Sequence, residues 1–88
     1  MKTVYLAKNN YELGFVQRKY FKKGIGWLDA GKNIKPIPLG KIGTLIGESS
    51  IVGKNLGYCV INSQQEMEYA KSKVFIRDVA LIVNKLEI

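Results

Sequence analysis

Four cations and three aromatic residues fall between Gln17 and Trp27. They are Arg18, Lys19, Lys22 and Lys23, with Tyr20, Phe21 and Trp27 among them. Cations neutralise phosphates, and exposed aromatic rings stack on bases or sugars, so this interleaving suits nucleic acid. The competing reading puts Tyr20, Phe21 and Trp27 in the core and leaves the cations as a solvated face; taken singly the aromatics suit the core better, whereas the cations suit a functional surface better. Lys32, Lys35 and Lys41 extend the basic surface if the loops carrying them lie on the same side.

Other chemistries find little support. The chain has no histidine, so a general base near neutral pH would have to be a perturbed carboxylate or lysine. One cysteine and no histidine cannot supply a closed zinc site. Cys59 lies in the apolar run Tyr58-Cys59-Val60-Ile61 and reads as a small buried hydrophobe. The seven carboxylates are scattered, and Glu66 and Glu68 would diverge on a helix. Gly26 to Asn33 nearly spells a phosphate-binding loop, but Asn33 stands where a Ser or Thr hydroxyl must hold magnesium. Pro36 and Pro38 then block the long helix that should follow, so the stretch reads as a turn. The expectation is no enzyme, no cofactor and no metal.

Charge is unevenly placed along the 88 residues. The net +7 sits in residues 1–44, with nine cations against two carboxylates, while residues 45–88 balance five against five. Such asymmetry favours a polyanionic partner. The longest apolar run is Val79 to Val83, far short of a membrane span. The N-terminal Thr3–Leu6 stretch reaches Lys8 too soon to be a signal-peptide core. The expectation is a single cytoplasmic domain with no membrane partner. Self-association stays open.

The elements that must position these residues read as mainly β. All nine glycines fall between Gly14 and Gly57, and both prolines lie in the same stretch. Interior glycine opposes helix, so this segment reads as short strands and turns. Strands are expected at Thr3–Lys8, Gly14–Lys22, Ile25–Leu28, Lys41–Ile46 and Gly57–Asn62, with a hairpin turn at 29–33 and a loop at Ser49–Asn55. Ser63-Gln64-Gln65-Glu66 is a capping box and predicts a short helix. The tail reads as strand Lys73–Ile76, one helical turn, then strand Leu81–Leu86, although Phe75, Val79, Ile82 and Leu86 also keep helical spacing.

Gly40-Lys41-Ile42-Gly43-Thr44-Leu45-Ile46 resembles the core of the KOW motif of ribosomal proteins and transcription elongation factors. The tail is similar to the second half of an SH3-like barrel, as in the plasmid-borne type II dihydrofolate reductases. Gly57-Tyr58-Cys59-Val60, Val74-Phe75-Ile76-Arg77 and Val79-Ala80 keep that skeleton. Phe75 and Arg77 replace the family's functional Gln and Tyr, so the resemblance implies the fold and not the activity. It implies an SH3-like small barrel with one short helix or helical turn. The expected function is nucleic-acid binding, DNA or RNA, through Arg18, Lys19, Tyr20, Lys22, Lys23, Trp27, Lys32, Lys35 and Lys41. The alternative is a phage or mobile-element type of interaction module that acts on an acidic site of a partner protein.

Overall fold

A computed structural model describes residues 2–49 and 55–86. The element order is β1 (Thr3–Ala7), α1 (Asn10–Lys22), β2 (Gly43–Ser49), β3 (Asn55–Ile61), α2 (Gln64–Lys71), β4 (Phe75–Asp78) and α3 (Val79–Leu86). The four strands form one sheet in the order β3-β2-β1-β4. β2 runs antiparallel to both neighbours, whereas β1 and β4 are parallel.

This corrects the barrel expectation and both resemblances that pointed to it. β3 and β4 are opposite edges of an open sheet, so no barrel closes. The KOW-like stretch is split: Gly43–Ile46 belongs to β2, and Gly40–Ile42 is the non-strand approach to it. The tail that echoed the reductase barrel ends in helix α3, not in a final strand.

α1 stands where a strand was expected at Gly14–Lys22. Its start is capped twice. Asn9 is extended and its Oδ1 accepts the Glu12 N–H at 2.8 Å, while Glu12 Oε1 accepts the Lys8 N–H at 2.7 Å. Leu13, Val16, Gln17 and Tyr20 then follow at helical spacing and are buried. The end is a Schellman motif: the Ile25 N–H reaches Tyr20 O and the Gly24 N–H reaches Phe21 O, both at 3.0 Å. Gly24 sits at φ +84°, a conformation that only glycine adopts cheaply.

α2 begins at the expected capping box. Ser63 Oγ accepts the Glu66 N–H at 3.2 Å, and Glu66 Oε1 accepts the Asn62 N–H at 2.9 Å. α3 begins on Asp78, whose Oδ1 accepts the Ala80 N–H at 3.0 Å. The expected strand at Ile25–Leu28 does not form. There is only a tight bridge, Trp27 N–H to Gly31 O at 2.7 Å and Gly31 N–H to Trp27 O at 2.8 Å, around the turn read from the sequence. The loop expected at Ser49–Asn55 lies largely outside the described residues.

Strand alternation divides the core in two. Tyr5, Ala7, Ile46 and Leu56 point to one face, which α1, α3 and the segment 26–42 cover with Leu13, Val16, Tyr20, Val79, Val83, Trp27 and Ile37. Leu6, Leu45 and Ile61 point to the other face, where Met67 and Ala70 of α2 meet them, with Val4, Ile42 and Ile76 alongside. Among the described residues no helix is long and apolar enough to cross a membrane.

Candidate functional site

α1 follows β1 directly and returns along the sheet, so its C-terminal end lies toward the start of β1. The last two turns carry Arg18, Lys19 and Lys22, and Lys23 is the cap residue. Arg18 and Lys22 are one i,i+4 row, and Lys19 and Lys23 are the next. Arg18, Lys22 and Lys23 are exposed and Lys19 is half-buried. No carboxylate forms an ion pair with any of the four among the described residues.

Three contacts set their directions. The Arg18 guanidinium lies over Gly14, where an added Cβ would come within 3.1 Å of Nη1. Lys19 Nζ is 5.8 Å from the centre of the Tyr5 ring, and Lys23 Nζ is 5.8 Å from that of Tyr20. Cations here also complement the helix dipole, so the same charges steady α1.

The two expected stacking residues are core. Tyr20 is only 6% exposed and meets Tyr5 edge-on at 5.9 Å. Burial pushes its phenol up to about 12. Trp27 is only 5% exposed, donates Nε1–H to Gln17 Oε1 at 2.9 Å and packs edge-on against Tyr58. Neither ring can stack on a base without unpacking the protein. Tyr11 was missed: it is exposed on α1, seven and eleven residues ahead of Arg18 and Lys22, so it shares their stripe. The spacing becomes visible only once the segment is known to be helical.

The outlying lysines differ from one another. Lys32 is exposed at the turn after Gly31. Lys35 is engaged: Nζ pairs with Asp29 at 2.8 Å and lies 5.2 Å from the Trp27 ring centre. That hydrogen bond holds the Asp29 carboxyl below its ordinary value. Lys41 is exposed, but its N–H bonds Asn62 Oδ1 just beyond the end of β3, whereas Gly26, close after α1, bonds Leu56 near the start of β3. Lys41 is therefore at the opposite end of the sheet from Lys22 and Lys23.

Gln17 links this region together, a role that no local pattern of residues announces. Its side chain is 1% exposed. Oε1 accepts from Trp27 Nε1 and from Lys35 N, and Nε2 donates to Lys35 O at 3.0 Å. It ties the 26–42 segment to α1.

Five of the seven carboxylates have structural duties. Glu12 and Glu66 cap helices, Asp29 pairs with Lys35, Glu68 lies 3.6 Å from Lys71, and Asp78 caps α3 while pairing with Lys8 at 2.8 Å. The Asp78 contact raises the Lys8 ammonium above its ordinary value. Among the described residues no three His, Cys, Asp or Glu side chains gather as a metal site would require. Cys59 was expected to be buried; it is exposed and free on β3. The chain matches no family model, no curated protein and no solved structure.

Proposed function

We propose that this chain binds nucleic acid through the phosphate backbone, using the C-terminal half of α1. One observation carries the reading: Arg18, Lys19, Lys22 and Lys23 form two adjacent rows on a capped helix, with no carboxylate paired to them among the described residues. Lys32 adds charge from the neighbouring segment, and Tyr11 offers the one exposed ring on the α1 stripe. Phosphate contacts position a protein without reading sequence, and burial of Tyr20 and Trp27 leaves little else for reading bases. Binding is therefore weak in sequence preference and steep in salt. The chain acts as a binding protein and not as an enzyme. The cytoplasm is the compartment that suits a nucleic-acid ligand and a lone free thiol.

The test is fluorescence anisotropy with labelled duplex DNA, single-stranded DNA and RNA over a salt series. Micromolar binding is expected, with a log–log slope of about −3 to −4 for roughly four neutralised phosphates. The ranking of the three ligands names the substrate. No binding of any ligand near 50 mM salt rejects the reading and turns attention to an acidic protein partner.

A further inference from the structure

The face of the sheet opposite α1 is only partly covered. α2 has eight residues and buries just Met67. Beside it runs an open groove of about 730 Å³, within the range of small-molecule sites. Val4, Leu45, Cys59 and Ile61 line it from the sheet, and Tyr69 and Ala70 line it from α2. Gly47 and Gly57 are paired across β2 and β3 on this face. Val4 leans over Gly47, where an added Cβ would lie 2.5 Å from Val4 Cγ1, and the Ser49 side chain lies beside Gly57, where an added Cβ would be 3.3 Å from Ser49 Cβ.

Positive charge gathers at one end of the groove, and a carboxylate, Glu66, stands at the other. Lys2 and Lys73 both stand at the end where β1 and β4 begin, joined by the Phe75 N–H to Lys2 O bond. Lys2 Nζ donates to the Glu48 backbone carbonyl, and Lys73 Nζ lies 5.6 Å from the Tyr69 ring centre. Neither forms an ion pair with a carboxylate among the described residues. Glu48 alternates with Ile46 and so directs its side chain to the α1 face. Glu66 is held at the other end by the Asn62 N–H and Ser63.

We infer that this groove is a binding site for a small planar aromatic anion. The ring lies between the apolar sheet residues and Tyr69, and its carboxylate or sulfonate faces Lys2 and Lys73. The site is on the other face from α1, so it is independent of nucleic-acid binding.

The one cysteine reports on occupancy, since Cys59 is exposed in the groove. The probes are 2-naphthoate and its neutral isostere 2-naphthamide. At millimolar concentration 2-naphthoate is expected to slow alkylation of Cys59 by iodoacetamide at least fivefold. The amide should protect clearly less. Lys2→Ala with Lys73→Ala should bring the two probes level, and Cys59→Trp, which fills the groove, should abolish naphthoate fluorescence enhancement. Replacing Arg18, Lys19, Lys22 and Lys23 with Ala should leave protection intact. Equal protection by acid and amide in the unaltered protein, or none by either, overturns the proposal even if a variant fails to fold. So does loss of protection in the α1 variant, which would mean general attraction to a cationic protein.

Discussion

The two faces of the sheet are built to different standards. On one, two helices and a long segment enclose Ile46, Val16 and Val79, all with no exposed surface. On the other, a single eight-residue helix lays Met67 and Ala70 over Leu6, Leu45 and Ile61, and a groove remains beside it. The polar groups follow the same division. Gln17 is buried on the first face only because three hydrogen bonds satisfy it. Lys2 and Lys73 on the second face are exposed at one end of the groove. The first face therefore carries most of the stability and frees the outside of α1 for charge. The second can tolerate change.

The sharpest break of this comparison is a matched pair of core truncations. Ile46→Ala should cost about 4 kcal/mol, because its site is fully enclosed and cannot collapse. Met67→Ala should cost about 2 kcal/mol, because it borders open space. Urea unfolding at fixed pH gives both numbers. Equal costs would mean that the faces are equally packed.

Gln17→Ala comes next, at about 3 kcal/mol. It strands the Trp27 indole N–H and the Lys35 backbone groups without partners. A cost below about 1 kcal/mol would show that water or a shifted 26–42 segment replaces the amide. The loss should also raise the accessibility of Trp27 to acrylamide quenching, which plain destabilisation of the other face would not do.

The pH effect is smaller. Tyr20 titrates at about 12 in the folded protein because burial penalises the phenolate, against an ordinary value of 10.0. The unfolded chain thus loses this proton first as pH rises. Stability from Tyr20 is fully present below pH 10 and is lost between pH 10 and about 12. Tyr20→Phe should flatten that part of the melting-temperature profile relative to the unaltered protein. Parallel profiles would remove Tyr20 from the account.

How far these features could be read from residues alone depended on how local their causes are. β1, β2 and β3 come from short apolar alternations, and α2 comes from Ser63 and Glu66, so the expected positions are close to the observed ones. α1 was hidden because its inward face includes Gly14 and Gln17, which blur the apolar stripe, and because the glycines downstream coloured the whole segment. Asn9 and Glu12 did mark its start, as Ser63 and Glu66 mark that of α2. α3 is rich in β-branched residues, and packing of Val79 and Val83 under α1 overrides that strand preference. The parallel pairing of β1 with β4 depends on residues about seventy positions apart, such as Thr3 and Phe75, which no local pattern encodes. The cations were legible because charge stays outside. The aromatic partners were not, since Tyr20 and Trp27 take their places from contacts with Tyr5 and Gln17.

The central claim is that α1 presents its charge to a polyanion while the core lies beneath it. The most direct measurement is the salt dependence of duplex DNA, single-stranded DNA and RNA binding by the Arg18→Ala, Lys19→Ala, Lys22→Ala, Lys23→Ala variant beside the unaltered chain. The account predicts a stability change of only about 1 kcal/mol, from lost ring and helix-dipole contacts, with binding lost and the salt slope collapsed toward zero. A folded variant that still binds with the original slope would contradict it and move the interface elsewhere.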